Sequence, residues 1–261
     1  MALSLQRKIT ALVLALYWPT LFILAHIPIP QVVREADVSD KSFHFLAFLV
    51  LTFLLWFALR GDEKVNWRKA TVWWIFLLVV GYAVVDELLQ GVVTGRSCDV
   101  RDFFLDVAGI LTGLIVCSIA TFWPAALVVA AVFIFGMTNV ARANVADVLP
   151  VTSALFYLCA YAVFTMLWLQ CLKRYRPRLR AQRMAIRWML LALAVPAALL
   201  LTVTLASVVL GRTFIVRDLL ICAVGIAAGV ALASLPPLLS KIKYGGGSNG
   251  ERSGCPREGG D

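Results

Sequence analysis

Charge is scarce in this chain. Asp, Glu, Lys and Arg make up 15% of its 261 residues, against about 25% in ordinary soluble domains. A soluble fold of this length has too little interior to hide a composition that is 61% hydrophobic. With a mean hydropathy of +0.88, the chain is expected to use lipid as its solvent. Histidine is rarer still, with only His26 and His44 present. The six cysteines, Cys98, Cys117, Cys159, Cys171, Cys222 and Cys255, include no C-x-x-C pair. That excludes a zinc knuckle and gives no disulfide framework. Four of them lie in apolar runs and read as small hydrophobes. H-E-x-x-H is also missing, so no zincin signature is present. Acids are outnumbered, and the net charge is +9. With no soluble domain to carry it, the excess does not point to nucleic acid; it reads as a signal for membrane orientation.

Long apolar runs are what the chain has. A membrane-crossing helix needs about 20 mostly apolar residues. Eight runs qualify, near residues 9–29, 42–60, 70–90, 102–122, 124–141, 152–172, 188–210 and 218–239. The first follows Arg7 and Lys8 and resembles a signal peptide. It is long enough to span and lacks a small-x-small cleavage site, so a retained helix is expected. Pro124 suits the first turn of the fifth run. From Gly245 the Gly-rich polar tail is expected to be disordered. The fold class expected is an all-α polytopic bundle of about eight helices.

Lys and Arg are distributed unevenly. With the N-terminus inside, the inner segments hold seventeen and the outer loops seven. Both termini are therefore expected in the cytoplasm. The inner run from Lys173 to Arg187 could also draw anionic lipid. In this topology the unusual polar residues gather at the outer side. Asp40, Lys41 and His44 open the second helix, Asp86, Glu87 and Gln90 close the third, and Arg96, Asp99, Arg101 and Asp102 precede the fourth. His26 ends the first. Most of the tryptophans, Trp18, Trp56, Trp67, Trp73, Trp74, Trp123, Trp168 and Trp188, fall near helix ends and read as belt anchors.

The chain also repeats itself. Residues 95–113, "GRSCDVRDFFLDVAGILTG", and 211–229, "GRTFIVRDLLICAVGIAAG", share eight of nineteen positions at an offset of 116. Two four-helix halves of equal orientation are expected: 1–122 with the polar site, 123–240 as a diverged copy, and 241–261 as a tail. The copy keeps Gly211, Arg212, Arg217, Asp218, Gly225 and Gly229. It has Thr202, Val203, Ala206 and Cys222 where the first half has Asp86, Glu87, Gln90 and Asp106.

Helical spacing groups the polar residues. Asp40 and His44 are i, i+4, as are Asp86 and Gln90; Glu87 is displaced by about a third of a turn. Asp99, Asp102 and Asp106 follow one stripe that continues to Gly109 and Gly113, a small-x-x-x-small pair suited to close helix packing. Ionisable groups near membrane depth are expensive unless paired or wetted. Lys41, Arg96 and Arg101 can neutralise part of the acidic set, and an ion-pair cluster tying three helices together is one complete reading. Others remain open. His44 with Asp86 or Glu87 can serve general acid–base chemistry. Several carboxylates with one histidine can hold a divalent cation, although no ligand motif assigns a metal or cofactor. Arg96 and Arg101 suit a phosphate or carboxylate at the outer leaflet. Acids at one face make a poor through-membrane proton relay, which disfavours a proton-coupled carrier.

The three motifs "SDKSFHFLAF", "DELLQ" and "GRSCDVRDFFLDVAGILTG" occur in this order. Together they resemble the VanZ-like family of bacterial membrane proteins over residues from about 10 to 122. The matching positions are Asp40, Lys41, His44, Phe45, Asp86, Glu87, Gln90, Gly95, Arg96, Asp102, Gly109 and Gly113. Asp106 departs from the family pattern, which has Asn there. The resemblance implies a multi-pass protein of the bacterial inner membrane with a role in the cell envelope. Its partners would be the bilayer and a lipid-linked intermediate or a glycopeptide such as teicoplanin. A membrane-embedded hydrolase or transferase, or a structural or assembly protein, are the alternatives.

Overall fold

Apolar runs that satisfy their own backbone hydrogen bonds form helices, since lipid offers no partner to an open N–H or C=O. The structure, a computed structural model, describes residues 4–27, 40–93, 96, 98–139, 150–175, 185–211 and 216–245. Eight helices make up nearly all of it: α1 Leu5–His26, α2 Asp40–Arg60, α3 Ala70–Gln90, α4 Val100–Ile119, α5 Phe122–Asn139, α6 Pro150–Tyr175, α7 Ala185–Val209 and α8 Val216–Gly245. Each is long and apolar enough to cross a membrane, and no strand occurs among the described residues. The protein is a polytopic helical bundle. Arg34, Gly95, Ser97, Arg142, the stretch 176–184, Arg212 and the tail from 246 lie outside the described residues. So do the side chains of Asp40 and Lys41. The last helix runs to Gly245.

The second helix is the centre of the first half. It packs against α1, α4 and α5 and buries Phe48, Leu49, Leu51, Leu55, Trp56 and Phe57. Being apolar all round, it shows no amphipathic stripe, as expected of a buried helix. Trp56 is thus a core residue that donates to the Glu63 carbonyl at 2.7 Å, which corrects its reading as a belt anchor. The third helix has two faces. Val72, Ile75, Val79 and Ala83 are buried, whereas Trp73, Trp74, Leu77 and Leu78 are exposed and suit acyl chains. Within α1 only Thr10 is buried.

Small residues bring α4 against α2. A Cβ on Gly109 would collide with the Phe45 carbonyl oxygen, and one on Gly113 would sit 3.0 Å from Thr52 Cβ. The same device joins α8 to α6: a Cβ on Gly225 would lie 2.7 Å from the Leu158 carbonyl oxygen, and one on Gly229 2.6 Å from that of Ala162. Around that contact a second core forms from Ile134, Tyr157, Tyr161, Phe164, Val203, Cys222 and Ile226. The fifth helix serves both cores, with Ala125, Ala126 and Val129 in the first and Ile134 in the second.

At one end of the bundle, basic side chains cap helix C-termini, where the backbone dipole favours cations. Arg7 donates to the carbonyls of Ala58 at 2.8 Å and Leu59 at 2.5 Å. Lys64 donates to the Ile119 carbonyl at 2.7 Å. Asp62 in the α2–α3 loop accepts from the Phe122 N–H at 2.9 Å and so caps α5 from another part of the chain.

Candidate functional site

The other end of the bundle collects the C-termini of α1 and α3 and the N-termini of α2 and α4. Helix N-termini stabilise negative charge, and acids are found there. Asp99 is the N-cap of α4, accepting from the Arg101 N–H at 2.9 Å. Asp102 follows in the first turn. One and two turns on, Asp106 and Gly109 fall on the same buried face, which continues to Gly113.

The helix geometry sends Asp86 and Glu87 in different directions. Asp86 accepts from the Gln90 side chain at 2.7 Å and lies 3.9 Å from His26 Nδ1. Gln90 Oε1 accepts from Arg96 at 3.3 Å, and Arg96 also donates to the Leu24 carbonyl at 3.3 Å. Arg96 thereby ties the ends of α1 and α3. His26 Nδ1 contacts the Phe22 carbonyl at 2.7 Å, and the Phe22 and His26 rings stack with centroids 4.2 Å apart. Glu87 turns towards α4 instead, accepting from the Asp99 N–H at 2.5 Å.

Deeper in the bundle, His44 Nδ1 and Asp106 Oδ1 are 3.0 Å apart. His44, Glu87 and Asp106 each present one ligand-capable atom within 4.8 Å of the other two. All three are buried, as are Asp86, Gln90 and Asp102. The structure therefore forms two adjoining groups, one of Asp86, Gln90, Arg96 and His26 and one of His44, Glu87 and Asp106. His44, Glu87 and Asp102 lie at the same end of the bundle. Arg101 does not join them. Its side chain is exposed and makes no ion pair among the described residues, so the expectation that it neutralises the acids is corrected.

Sequence reading passed over a smaller polar group at this end of the second half. Ser207 donates to Asn139 at 2.6 Å, and Asp218 is fully buried with Arg217 3.6 Å away. Asn139 closes an apolar helix beside Thr138, and Ser207 sits near the end of another that also carries Thr202 and Thr204; nothing in their spacing marks them. The repeat alone draws notice to Asp218.

An apolar groove of about 600 Å3 runs between α1 and α3, lined by Leu14, Trp18, Pro19, Phe22, Ile23 and Tyr82 among others. Its upper end is one helical turn below the polar residues, since Phe22 precedes His26 by four positions and Tyr82 precedes Asp86 by four.

Residues 9–123 match the model of the VanZ/LLP1 family. No curated protein and no solved structure matches the chain.

Proposed function

We propose that this VanZ-like membrane protein, with its VanZ-like domain spanning residues 9–123, binds an amphiphile of the cell envelope. The occupant is an outer-leaflet or lipid-linked molecule with an anionic head, a glycopeptide being one form it can take. One observation carries the reading: the α1–α3 groove, lined as far as Phe22, Ile23 and Tyr82, lies one helical turn below His26 and Asp86, which adjoin Gln90 and Arg96. An acyl or prenyl chain fits a groove lined by Leu14, Trp18 and Phe22, and a phosphate or carboxylate suits the Arg96 guanidinium. The sparse burial of α1 supports entry from the side.

The same reading places the polar end outside and both termini in the cytoplasm of a bacterial inner membrane. It is supported by Lys and Arg concentrated at the opposite end. It also takes the chain as two halves, 1–122 and 123–240. Support comes from Gly109 and Gly225, which lie 116 positions apart and approach the carbonyls of Phe45 and Leu158 in the same manner.

The test uses the full chain in nanodiscs with a polyprenyl phosphate as probe. Leu14→Trp, which fills the groove, and Arg96→Ala should each weaken binding about tenfold, the scale of one lost charge-assisted contact, at unchanged folded yield. Cells expressing the wild type should be less susceptible to teicoplanin than cells expressing either variant. Equal binding by all three proteins, or binding that falls only in step with yield, would sink the reading.

The His44–Asp106 contact favours a second reading, a membrane-embedded hydrolase or transferase. A carboxylate on Nδ1 orients an imidazole for proton transfer at its other nitrogen. Release of the probe's phosphate by wild type, lost in His44→Ala at unchanged yield, would support it; no release by the wild type would discard it.

A further inference from the structure

His44, Glu87 and Asp106 come from three helices and meet in the buried part of the polar end. Their relative exposures are 7%, 4% and 0%, so whatever balances them must be inside the protein. We propose that these three side chains bind one divalent first-row transition cation.

Three observations carry this. The ligand-capable atoms lie within 4.8 Å of one another, and one pair, His44 Nδ1 and Asp106 Oδ1, is already at 3.0 Å. Metal–ligand bonds of about 2.0–2.2 Å put neighbouring donor atoms roughly 3–4 Å apart, so donors already within 4.8 Å of one another need only a small inward adjustment. Next, Glu87 Oε2 and Asp106 Oδ2 are buried and have no hydrogen-bond partner among the described residues. A carboxylate oxygen can only accept, and withholding both water and donors from it is costly. A cation between the two carboxylates supplies what hydrogen bonds do not. The third observation is the fixed frame. Glu87 Oε1 is held by the Asp99 N–H, which orients the other oxygen. The tight contact of Gly109 with the Phe45 carbonyl sets α4 beside α2, at the residue next to His44 and one turn from Asp106. Ligands supported by an outer ring of contacts are the ones that hold a metal.

The donor set decides the class of ion. Two carboxylates and one imidazole are a mixed oxygen–nitrogen set that suits Mn2+, Fe2+ or Zn2+. Mg2+ and Ca2+ prefer oxygen throughout. Asp86, Gln90 and Arg96 stay outside the set, linked through Gln90, and the Arg96 guanidinium remains for an anionic head. The cation site goes beyond the amphiphile reading, and either can fail alone because metal is measured without the amphiphile.

The experiment uses the full chain in detergent without a polyhistidine tag, stripped with chelator and titrated with Mn2+ and Zn2+. Calorimetry gives the affinity and elemental mass spectrometry the stoichiometry. One ion per chain is expected. Glu87→Gln and Asp106→Asn should each weaken binding tenfold or more. Glu63→Gln, at the opposite end of the bundle, should bind as the wild type does. Should a variant fail to fold, the wild type decides: chelator should lower its Tm and added metal restore it. No stoichiometric binding, a Tm indifferent to chelator and metal, or undiminished affinity in folded Glu87→Gln and Asp106→Asn would each overturn the proposal.

Discussion

Gly109 has no side chain, and the approach of α4 to α2 depends on that. Alanine there places a methyl group on the Phe45 carbonyl oxygen. Backbone cannot yield as a flexible side chain can, so overpacking should cost about 1–3 kcal/mol or more. Gly81 is the contrast. A Cβ there meets nothing within 4 Å, and Gly81→Ala should be neutral or stabilise by up to about 1 kcal/mol through helix propensity. Thermal unfolding in detergent separates the two. Equal melting temperatures for the variants would show that the close approach is not needed. Asp86 and Glu87 teach the same lesson about direction. Consecutive positions on a helix point about 100° apart, so neighbours in sequence serve different partners, Asp86 with Gln90 and Glu87 with the Asp99 N–H.

Helices here are tied together by loops that reach across the bundle. Asp62 follows α2 yet caps α5, and Asp62→Ala should cost about 0.5–2 kcal/mol, the usual worth of an N-cap. The loss should appear as faster amide exchange in the first turn of α5, with the first turn of α4 unaffected because Asp99 caps it locally. Uniform loss across both would contradict this assignment. At this scale much was legible beforehand. The apolar runs fell within a few residues of the eight helices, because a span must be about that long and that apolar. The buried face of α4, with Asp102, Asp106, Gly109 and Gly113, follows from 3.6 residues per turn. Trp56 misled, because its place near a helix end says nothing about whether a neighbouring helix covers it.

The molecule as a whole is electrically lopsided. Arg7, Lys64 and Lys173 donate to backbone carbonyls at one end, and the carboxylates of α3 and α4 gather at the other. The positive end should face the cytoplasm. Cys98 is exposed at the polar end, which provides a direct check. In whole cells carrying a chain whose other cysteines are replaced by serine or alanine, a membrane-impermeant maleimide should label Cys98 from outside. Asp62→Cys, with Cys98 removed, should react only after lysis. The reverse pattern would invert the topology and with it the proposed access to the outer leaflet.

Composition and run length by themselves determined that this is a membrane bundle. A chain short of charge and rich in apolar residues has only helices open to it when the pattern comes in twenty-residue blocks. The residue types of the polar end, and their placement on one side, were also set by that one-dimensional pattern. Only tertiary structure decided which of those residues meet. His44 and Asp106 are 62 positions apart, and no spacing rule joins them. The close glycine contact between α2 and α4 does, while Arg101, equally plausible in one dimension, turns outward. Helical periodicity specifies a face, but the neighbour that face receives is chosen by packing.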